Sequence, residues 1–476
     1  MKVLWLCNIM LPAFAKANGL SFSNREGWLS GIFDRITSQY RKGAPGYSTS
    51  DAAVYDTGDI RIDVTADLSS VLPDIDAKIN RDALGEEARY IELGVCCPVP
   101  ESLGNCRQEI RGVVFYGFQE DLTHPEIYNS GLETRFSEIL DDFRPDIVHI
   151  FGTEFPHTLS MTRAFGSPER TLIGIQGLCR TIADTYMADL PYRVRRRKTF
   201  RDRVRRDSIE AQQHKYEMRA RNERLAILGT GHVTGRTVLD RRETNAINPD
   251  ALYHPMNETM RSCFYSGRWN PENCEAHSIF LSQGDYPLKG FHYLLLAMPR
   301  VLEQYPDAKI YCAGNSIIGN YGGLYPETHK VPLALRISSY GKYLLHLIHE
   351  LHLEGHVFMT GSLSAGEMKD RFLSSNVFVC PSIMENSPNS LCEAMLLGMP
   401  VVAARVGGVP DLINDGEEGL LFTGGSDREL ADCIIRVLDD SDFSYKLGAQ
   451  ARRTAKVRHN PDTNFRRLVE IYRSML

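Results

Sequence analysis

The feature that most constrains the fold is the alternation of apolar runs and helix signals over residues 377–411. Residues 377–380 are all apolar, which is typical of a parallel strand buried on both faces, and Pro381 ends that run. Residues 401–404 form a second run of the same kind. Because a helical segment separates the two runs, the pattern predicts a strand–helix–strand unit of an α/β fold.

The segment between these two strands carries clear helix boundaries. Ser387 is a suitable N-cap with Pro388 at the first helical position, and the predicted helix runs to about Leu397. Gly398 then fits the left-handed position that ends a helix. A strand that leads into a helix leaves the first amides of that helix unpaired at the positive end of its dipole, which favours phosphate binding. The amides concerned belong to Asn389, Ser390 and Leu391.

Two carboxylates flank this predicted phosphate site. Glu385 precedes the helix, and Glu393 lies nearly two turns into it. A carboxylate at each end of a phosphate site suits a ligand with hydroxyls on both sides of its phosphates, such as a nucleotide-sugar. In the alternative interpretation, Glu393 is a surface residue of the helix and Glu385 is a loop carboxylate, and neither contacts a ligand.

Residues 377–411 resemble the Glu-x7-Glu signature of the retaining glycosyltransferases of family 4, also called glycosyltransferase group 1. The likeness includes the Pro-Ser before Glu385, the Glu-Ala-Met that starts at Glu393 and the Gly-Gly-Val-Pro-Asp downstream. Residues 232–237, 247–249 and 257–261 resemble runs in members of this family from bacterial polysaccharide biosynthesis. The resemblance implies the GT-B fold, in which two doubly wound Rossmann-like α/β domains face a central cleft. It also implies that Glu385 binds the donor sugar's hydroxyls and that Glu393 binds the ribose.

The length and the resemblance together predict the domain boundaries. The 476 residues are enough for two domains with separate cores. We expect an N-terminal, acceptor-binding domain over residues 1–262, a nucleotide-sugar-binding domain over 263–455, and a helix over 456–476 that packs back on the first domain. Residues 41–59 are expected to form a loop or hairpin, and residues 60–64 a strand.

Composition argues against several other classes of protein. The net charge of −6 gives no reason to expect nucleic acid as a partner, and no apolar run approaches the roughly 18 residues of a membrane-spanning helix. The 11 cysteines are an odd number without a Cys-x-x-Cys pair, which favours a reducing cytoplasm over a secreted, disulfide-bonded protein. Cys96, Cys97 and Cys106 lack the spacing of a common metal site, so no metal is expected there. No cofactor is expected either, since the nucleotide-sugar is a substrate.

The resemblance implies that two cations hold the donor diphosphate, namely Lys289 and an arginine five residues before it. Lys289 is present, but the arginine position holds Gly284, with Gln283 beside it. Two cations stabilise a leaving diphosphate better than one, because charge accumulates there in the transition state. Either Gln283 and helix amides replace the missing arginine, or a basic residue comes from elsewhere in the chain, for which Arg405 is a candidate.

The resemblance implies three further donor contacts. Gly27 corresponds to a glycine-rich loop that approaches the phosphates, although an ordinary turn would carry the same residue. Gln176 stands where many members have a histidine near the sugar's hydroxymethyl group, and glutamine can bind a hydroxyl but cannot take up a proton near neutral pH. Backbone groups near Leu363 are expected to meet the nucleobase. The expected catalytic residues are Glu385, Lys289 and Gln176.

Polar residues at the end of a predicted strand near residue 150 are expected in the cleft. Ligands of open α/β sheets bind beyond the carboxyl ends of the strands. The residues that this rule directs towards the cleft are His149, Thr153, Glu154 and His157. His149 has the alternative role of a hydrogen-bonded core histidine. Arg236 is the expected cleft cation of this domain, with a structural ion pair as its alternative role.

Residues 192–206 hold nine Arg or Lys and one Asp. A solvated, charged helix face is one interpretation of such a run. The other is peripheral contact with anionic lipid at the inner face of a membrane, where each basic residue contributes about 1 kcal/mol. The apolar face available for such contact is thin and consists of Val194, Phe200 and Val204.

These features together predict transfer of a sugar from a nucleotide-sugar, UDP- or GDP-linked, to a hydroxyl of a sugar, glycan or lipid-linked acceptor. The resemblance adds retention of configuration and a role in cell-surface polysaccharide assembly. No metal is needed, because Lys289 and the helix amides neutralise the diphosphate. A nucleotide-sugar epimerase or a phosphorylase on the same fold is the first alternative, and a non-catalytic nucleotide-sugar-binding homologue is the second.

Overall fold

The structure is a computed structural model that describes residues 1–21, 27–41, 91–187, 189–324 and 332–476. It has two sheets, one mainly and one entirely parallel, each covered by helices, in agreement with the predicted α/β class. The loop expected over residues 41–59 and the strand expected over 60–64 lie outside the described residues, apart from Arg41, which ends a helix.

Within the described residues the first sheet has eight strands: β1 Lys2–Leu6, β2 Glu92–Pro98, β3 Cys106–Ile110, β4 Val113–Phe118, β5 Ile147–Phe151, β6 Thr171–Gly174, β7 His232–Gly235 and β8 Leu252–Pro255. Their order is β3-β4-β2-β1-β5-β6-β7-β8, and only β3 and β4 pair antiparallel. Val3 and Trp5 of β1 enter one hydrophobic cluster, while Leu4 and Leu6 enter another. Both faces of the strand are therefore buried, which explains its continuous apolar run.

Within the described residues the second sheet has six parallel strands: β9 Ser278–Leu281, β10 Lys309–Ala313, β11 Val357–Gly361, β12 Val377–Cys380, β13 Val401–Ala404 and β14 Leu420–Phe422. Their order is β11-β10-β9-β12-β13-β14. The two strands predicted around the central helix are thus confirmed as β12 and β13. The direction of chain progression across the sheet reverses between β9 and β12, and open α/β sheets bind ligands beyond the carboxyl ends of strands at such a point.

Helices cover the faces of both sheets. Among the described residues, those that precede the second sheet in the chain are α1 Pro12–Ala17, α2 Gly27–Arg41, α3 Gly131–Phe143, α4 His157–Phe165, α5 Cys179–Thr185, α6 Tyr192–Arg196, α7 Phe200–Arg205, α8 Ile209–Leu228 and α9 Val238–Ile247. The described helices that follow β9, the first strand of that sheet, are α10 Phe291–Gln304, α11 Leu333–Arg336, α12 Ser339–Glu350, α13 Ala365–Leu373, α14 Asn389–Leu397, α15 Asp427–Asp439, α16 Ser441–Arg458 and α17 Pro461–Ser474.

The last helix, α17, packs against the first sheet. Phe465 and Leu468 are buried in the same hydrophobic cluster as Trp5. The indole Nε1 of Trp5 donates a hydrogen bond to the Tyr472 hydroxyl at 2.8 Å. The chain therefore returns from the second domain to complete the core of the first.

A helical segment of residues 189–209, which contains α6 and α7, lies between β6 and β7 of the first sheet but packs against the second domain, and is called the bridging segment below. Leu190 and Ile209, at its two ends, are buried in the hydrophobic core of the second domain, together with Tyr186 just before it. These apolar side chains come from the first half of the chain but contribute to the second core.

Hydrogen bonds also fix the bridging segment to α12 of the second domain. The backbone N–H of Ser339 donates to Asp202 Oδ2 at 3.0 Å, and the Ser339 hydroxyl donates to the carbonyl oxygen of Val194 at 2.8 Å. Val194 is half-buried against the second domain. The prediction that Val194 belongs to an exposed apolar face is therefore wrong.

All eleven cysteines are free. None of the helices that the structure describes combines the length and the apolarity that a bilayer crossing requires. Within the same residues, no group of three or more His, Cys, Asp or Glu side chains is arranged to hold a metal ion.

Candidate active site

A cavity of about 640 Å³ lies beyond the carboxyl ends of β9 and β12. Helix α8 of the first domain contributes Tyr216, and the segment that connects the domains contributes Met260 and Arg261. The second domain supplies the rest of the lining, including Ser282, Gln283, Lys289, Leu363, Asn389, Ser390 and Glu393. Most of the residues expected to bind the donor therefore share one cavity.

Helix α14 opens into this cavity with two free amides. It begins at Asn389 after the N-cap Pro388, one residue later than predicted, because Pro388 has extended backbone angles. In the part of the chain that the structure describes, the N–H groups of Asn389 and Ser390 have no acceptor. The prediction that the Leu391 amide is also free is wrong, since this amide donates to the Pro388 carbonyl oxygen at 3.1 Å. The end of the helix is as predicted, with Gly398 left-handed at φ 76°.

Glu385 and Lys289 form an ion pair beside the cavity. Lys289 Nζ donates to Glu385 Oε1 at 2.6 Å, and the Ser382 hydroxyl donates to the same oxygen at 2.7 Å. No donor among the described residues contacts Glu385 Oε2, so this oxygen is open to the hydroxyls of a ligand. Burial acts to lower the pKa of Lys289, but the charge of Glu385 outweighs it and the pKa is raised. Lys289 therefore stays cationic.

Two glycines allow the loops that carry this ion pair to approach each other. Gly290 has φ 67°, and a Cβ there would lie 1.8 Å from the carbonyl oxygen of Pro381. A Cβ on Gly408 would lie 2.1 Å from the carbonyl oxygen of Asn386, and the Gly408 N–H donates to the carbonyl oxygen of Glu385 at 3.0 Å. Any side chain at either position would move the loop that holds Glu385.

Glu393 is held by Arg261. Nε and Nη2 of Arg261 donate to Oε1 and Oε2 of Glu393, each at 2.7 Å. Only 4% of the Glu393 side chain is exposed, so its alternative interpretation as a surface residue is wrong. Burial raises the pKa of Glu393, while the hydrogen bonds from Arg261 act to lower it. Sequence reasoning missed this contact, because 132 positions separate the two residues.

Gln176 and Arg236 meet at a buried carboxylate where the two domains touch. Gln176 Nε2 donates to Glu258 Oε1 at 2.9 Å, and Arg236 Nη1 donates to Glu258 Oε2. Arg236 Nη1 also donates to Asn389 Oδ1 at 3.2 Å. Burial raises the pKa of Glu258, and the charge of Arg236 acts to lower it. Arg236 thus has the alternative role of a structural ion pair, next to the first residue of α14.

Gly27 and Arg405 are two further residues considered for the donor diphosphate. Gly27 is the first residue of α2, and one turn later Gly31 packs closely against Thr259, near Arg261. The suggestion that Arg405 replaces the missing arginine is wrong: Arg405 pairs with Asp415 at 2.6 Å on the surface and does not line the cavity. It therefore cannot replace the missing arginine.

The prediction that His149 points towards the cleft is also wrong. His149 is fully buried, its ring lies 3.9 Å from that of Phe151, and its Nδ1 is 2.7 Å from the Tyr472 hydroxyl. Burial lowers the pKa of His149 to about 3, which keeps the ring neutral. A residue in the middle of a strand that is covered on both faces cannot reach the crevice beyond the strand's end.

Thr153, Glu154 and His157 do follow β5, but none of them lines the 640 Å³ cavity. The Thr153 hydroxyl donates to Glu223 Oε2 at 2.7 Å, and His157 is buried. Glu154 is half-buried beside Gly177, and burial raises its pKa. An acceptor role for these residues stays a prediction.

Comparison with known proteins gives the same assignment for the second domain. Residues 272–454 match the family model described as glycosyl transferases group 1. Over 168 residues the chain is 28% identical to D-inositol 3-phosphate glycosyltransferase from Corynebacterium glutamicum, covering 35% of this chain and 36% of that protein. The enzyme of the same name from Corynebacterium urealyticum is 30% identical over 188 residues, covering 40% and 41%. The matched part thus spans less than half of these relatives.

Solved structures share the architecture of the whole chain. HepE of Anabaena in complex with UDP-glucose superimposes with a TM-score of 0.61 at 14% identity, over 100% of both chains. Sucrose-phosphate synthase from Thermosynechococcus elongatus superimposes with a TM-score of 0.59 at 16% identity, over 82% of this chain and 90% of that one. At such identities the likeness shows the fold alone. Residues 272–454 thus match the group 1 glycosyl transferases, and the two-domain architecture is the GT-B fold.

Proposed function

We propose that this protein transfers a glycosyl group from a nucleotide-sugar to an acceptor hydroxyl, with retention of configuration. In this reaction the bond between the anomeric carbon and the diphosphate oxygen breaks, and a bond from that carbon to the acceptor oxygen forms on the same face. The acceptor's proton leaves with the diphosphate or to solvent. The products are the glycosylated acceptor and a nucleoside diphosphate.

The observation that carries this proposal is the meeting of Lys289 with the open amides of Asn389 and Ser390 in one cavity. Charge accumulates on the leaving diphosphate in the transition state, and fixed donors aimed at it accelerate its departure. Because these groups supply positive charge themselves, we infer that the transfer needs no metal. Activity that persists in excess EDTA would agree with this inference, and complete loss that Mg²⁺ restores would contradict it.

The carboxylates beside this cavity suit the sugars on either side of the diphosphate. Glu385 Oε2 has no donor among the described residues and is available to the hydroxyls of the transferred sugar. We assign Glu393 to the ribose, Leu363 to the nucleobase and Gln176 to the hydroxymethyl group of a hexose. Closure of the two domains over the donor would exclude the water that otherwise hydrolyses it.

The experiment that tests the proposal offers UDP-, GDP- and ADP-sugars to the purified protein and follows release of the nucleotide. We expect release from one of them to depend on an added sugar, glycan or lipid-linked acceptor, and Glu385→Ala to abolish it. A free epimer would indicate an epimerase, and a sugar phosphate formed with inorganic phosphate would indicate a phosphorylase. Binding without any turnover would indicate a non-catalytic homologue.

We further propose that the bridging segment contacts anionic lipid, as an enzyme of cell-surface polysaccharide assembly at the inner face of a membrane would. Tyr192, Phe200 and Val204 are 64%, 62% and 65% exposed. Around them lie exposed arginines that form no salt bridge with the described carboxylates: Arg193, Arg197, Arg203, Arg205 and Arg206. At about 1 kcal/mol each, five such residues would contribute about 5 kcal/mol at an anionic surface.

Vesicle flotation tests this contact. The protein should float with anionic phospholipid vesicles at low salt but not with zwitterionic ones. The double variant Arg203→Glu/Arg205→Glu should lose about tenfold or more in binding. A matched control, Arg428→Glu/Arg453→Glu on the other domain, should bind as the wild type does. Equal loss in both double variants would show that net charge alone, and not the bridging segment, governs binding.

A further inference from the structure

The position of the missing family arginine is closed by the core of the second domain. Gly284 is buried, and a Cβ there would lie 2.7 Å from Cys312 Sγ and 2.9 Å from a ring carbon of Phe291. No side chain fits without displacing these groups. The diphosphate therefore lacks a cation from this position, and any second cation comes from another part of the chain.

Arg261 lines the same cavity as Lys289 and the open amides of α14. It belongs to the segment that connects the two domains, after β8. Its guanidinium is fixed on two sides, by the paired hydrogen bonds to Glu393 and by the ring of Phe264, whose centroid is 4.7 Å from the guanidinium carbon. Its Nη1 makes no hydrogen bond to any described residue, so this donor is left for a ligand.

We propose that Arg261 is the second cation on the diphosphate and that Glu393 orients its guanidinium towards the phosphates. This inference rests on the proposed function. An arginine held by a carboxylate on its Nε and Nη2 edge presents its remaining N–H groups in one fixed direction, so little ordering is needed when a phosphate binds. Glu393 has lone pairs beyond the two that Arg261 uses, which lets it also accept from a ribose hydroxyl.

The geometry distinguishes arginine from lysine at this position. Lysine would keep the positive charge, but it is a point donor and cannot pair with both oxygens of Glu393. Arg261→Lys should therefore recover only part of the affinity for the diphosphate that Arg261→Met loses. If charge alone mattered, the lysine variant would bind as the wild type does.

The test is calorimetric titration with a nucleoside diphosphate, the matching monophosphate and the nucleoside, using the base that the wild-type protein prefers among uridine, guanosine and adenosine. Arg261→Met should weaken diphosphate binding by about tenfold to a hundredfold and nucleoside binding by less than about threefold, because a hydrogen bond between charged groups is lost only at the phosphates. The control Arg405→Met removes a cation outside the cavity and should leave all three affinities unchanged.

Loss of the cation also leaves Glu393 buried without a partner, so the double variant Arg261→Met/Glu393→Gln serves as a second test. It should unfold at a temperature close to that of the wild type and still bind the diphosphate weakly. Diphosphate binding within about threefold of wild type in both Arg261→Met and Arg261→Met/Glu393→Gln would overturn this inference alone. An equal loss for nucleoside and diphosphate would also overturn it. If the wild type bound no nucleoside diphosphate, both the inference and the proposed function would fall.

Discussion

Replacing Glu385 by glutamine should separate binding of the sugar from binding of the diphosphate. In the structure Glu385 Oε1 accepts from Lys289 at 2.6 Å and from Ser382 at 2.7 Å, and Oε2 is open. Glutamine preserves the shape of the side chain and removes its negative charge. The change therefore weakens an acceptor for sugar hydroxyls and, at the same time, frees Lys289 from its counter-charge.

These two effects have opposite signs. A hydrogen bond to a charged group contributes about 1.5–3 kcal/mol and a neutral one about 0.5–1.5 kcal/mol, so the sugar should lose about 1 kcal/mol per hydroxyl bound. For the diphosphate, a negative charge at an assumed separation of about 7 Å repels with about 2 kcal/mol at an effective dielectric constant of about 20. Solvent screens part of this repulsion, because 19% of the Lys289 side chain and 10% of the Glu385 side chain are exposed.

The assay is titration of wild type and Glu385→Gln with a nucleoside diphosphate and with its sugar derivative. We expect the free diphosphate to bind about threefold to tenfold more tightly and the sugar derivative about fivefold more weakly. The ratio of the two dissociation constants should then rise by at least about tenfold. The control Glu354→Gln changes an exposed carboxylate of the same domain and should leave the ratio unchanged. If both ligands weakened by one common factor in Glu385→Gln, the charge argument would be refuted and a loop distortion indicated.

Three further outcomes follow from other contacts. Gly408→Ala should reduce activity at least about tenfold and lower the free energy of unfolding by about 2 kcal/mol or more, because the new Cβ would overlap the Asn386 carbonyl oxygen. The control Gly366→Ala, with open space around it in α13, should instead raise the free energy of unfolding in urea by about 0.5–1 kcal/mol. Asp202→Ala should speed limited proteolysis of the bridging segment, since the anchor to α12 is lost; an unchanged cleavage rate would contradict that anchor. Because burial lowers the pKa of His149 from 6.5 to about 3, its contribution to stability is complete above pH 6.5 and is lost as the pH falls. Between pH 6.5 and 5 the wild type should therefore lose about 2 kcal/mol more than His149→Phe does, and equal losses would disprove this assignment.

The elements whose signals are local could be predicted from the sequence. The strands β12 and β13 follow from short apolar runs, and the end of α14 follows from Gly398, whose left-handed backbone is as predicted. The observed start of α14 lies one residue after the predicted one, since Pro388 fits either the N-cap or the first helical position. Glu385, before that helix, and Glu393, within it, can be identified from the sequence because their spacing is part of a motif.

The partners of those acids depend on the tertiary structure and could not be predicted. Arg261 is 132 positions away from Glu393, and no local pattern connects them. His149 was misplaced for a related reason: its neighbours show that β5 is a strand, but only the sheet shows that both faces of β5 are covered. Likewise, the charge of residues 192–206 indicated an exposed surface and gave no sign that the segment is anchored to the second domain.

The apolar ends of the bridging segment bear on how this chain can be divided for expression. A fragment that begins after residue 256 would lack Tyr186, Leu190 and Ile209, and the side chains they cover in the second core would be bare. A fragment that stops there would carry the same three residues without their cover. Exposed apolar patches of this kind promote self-association, so each half should be soluble only when the other is synthesised with it. Neither fragment from a cut after residue 256 is therefore a complete folding unit.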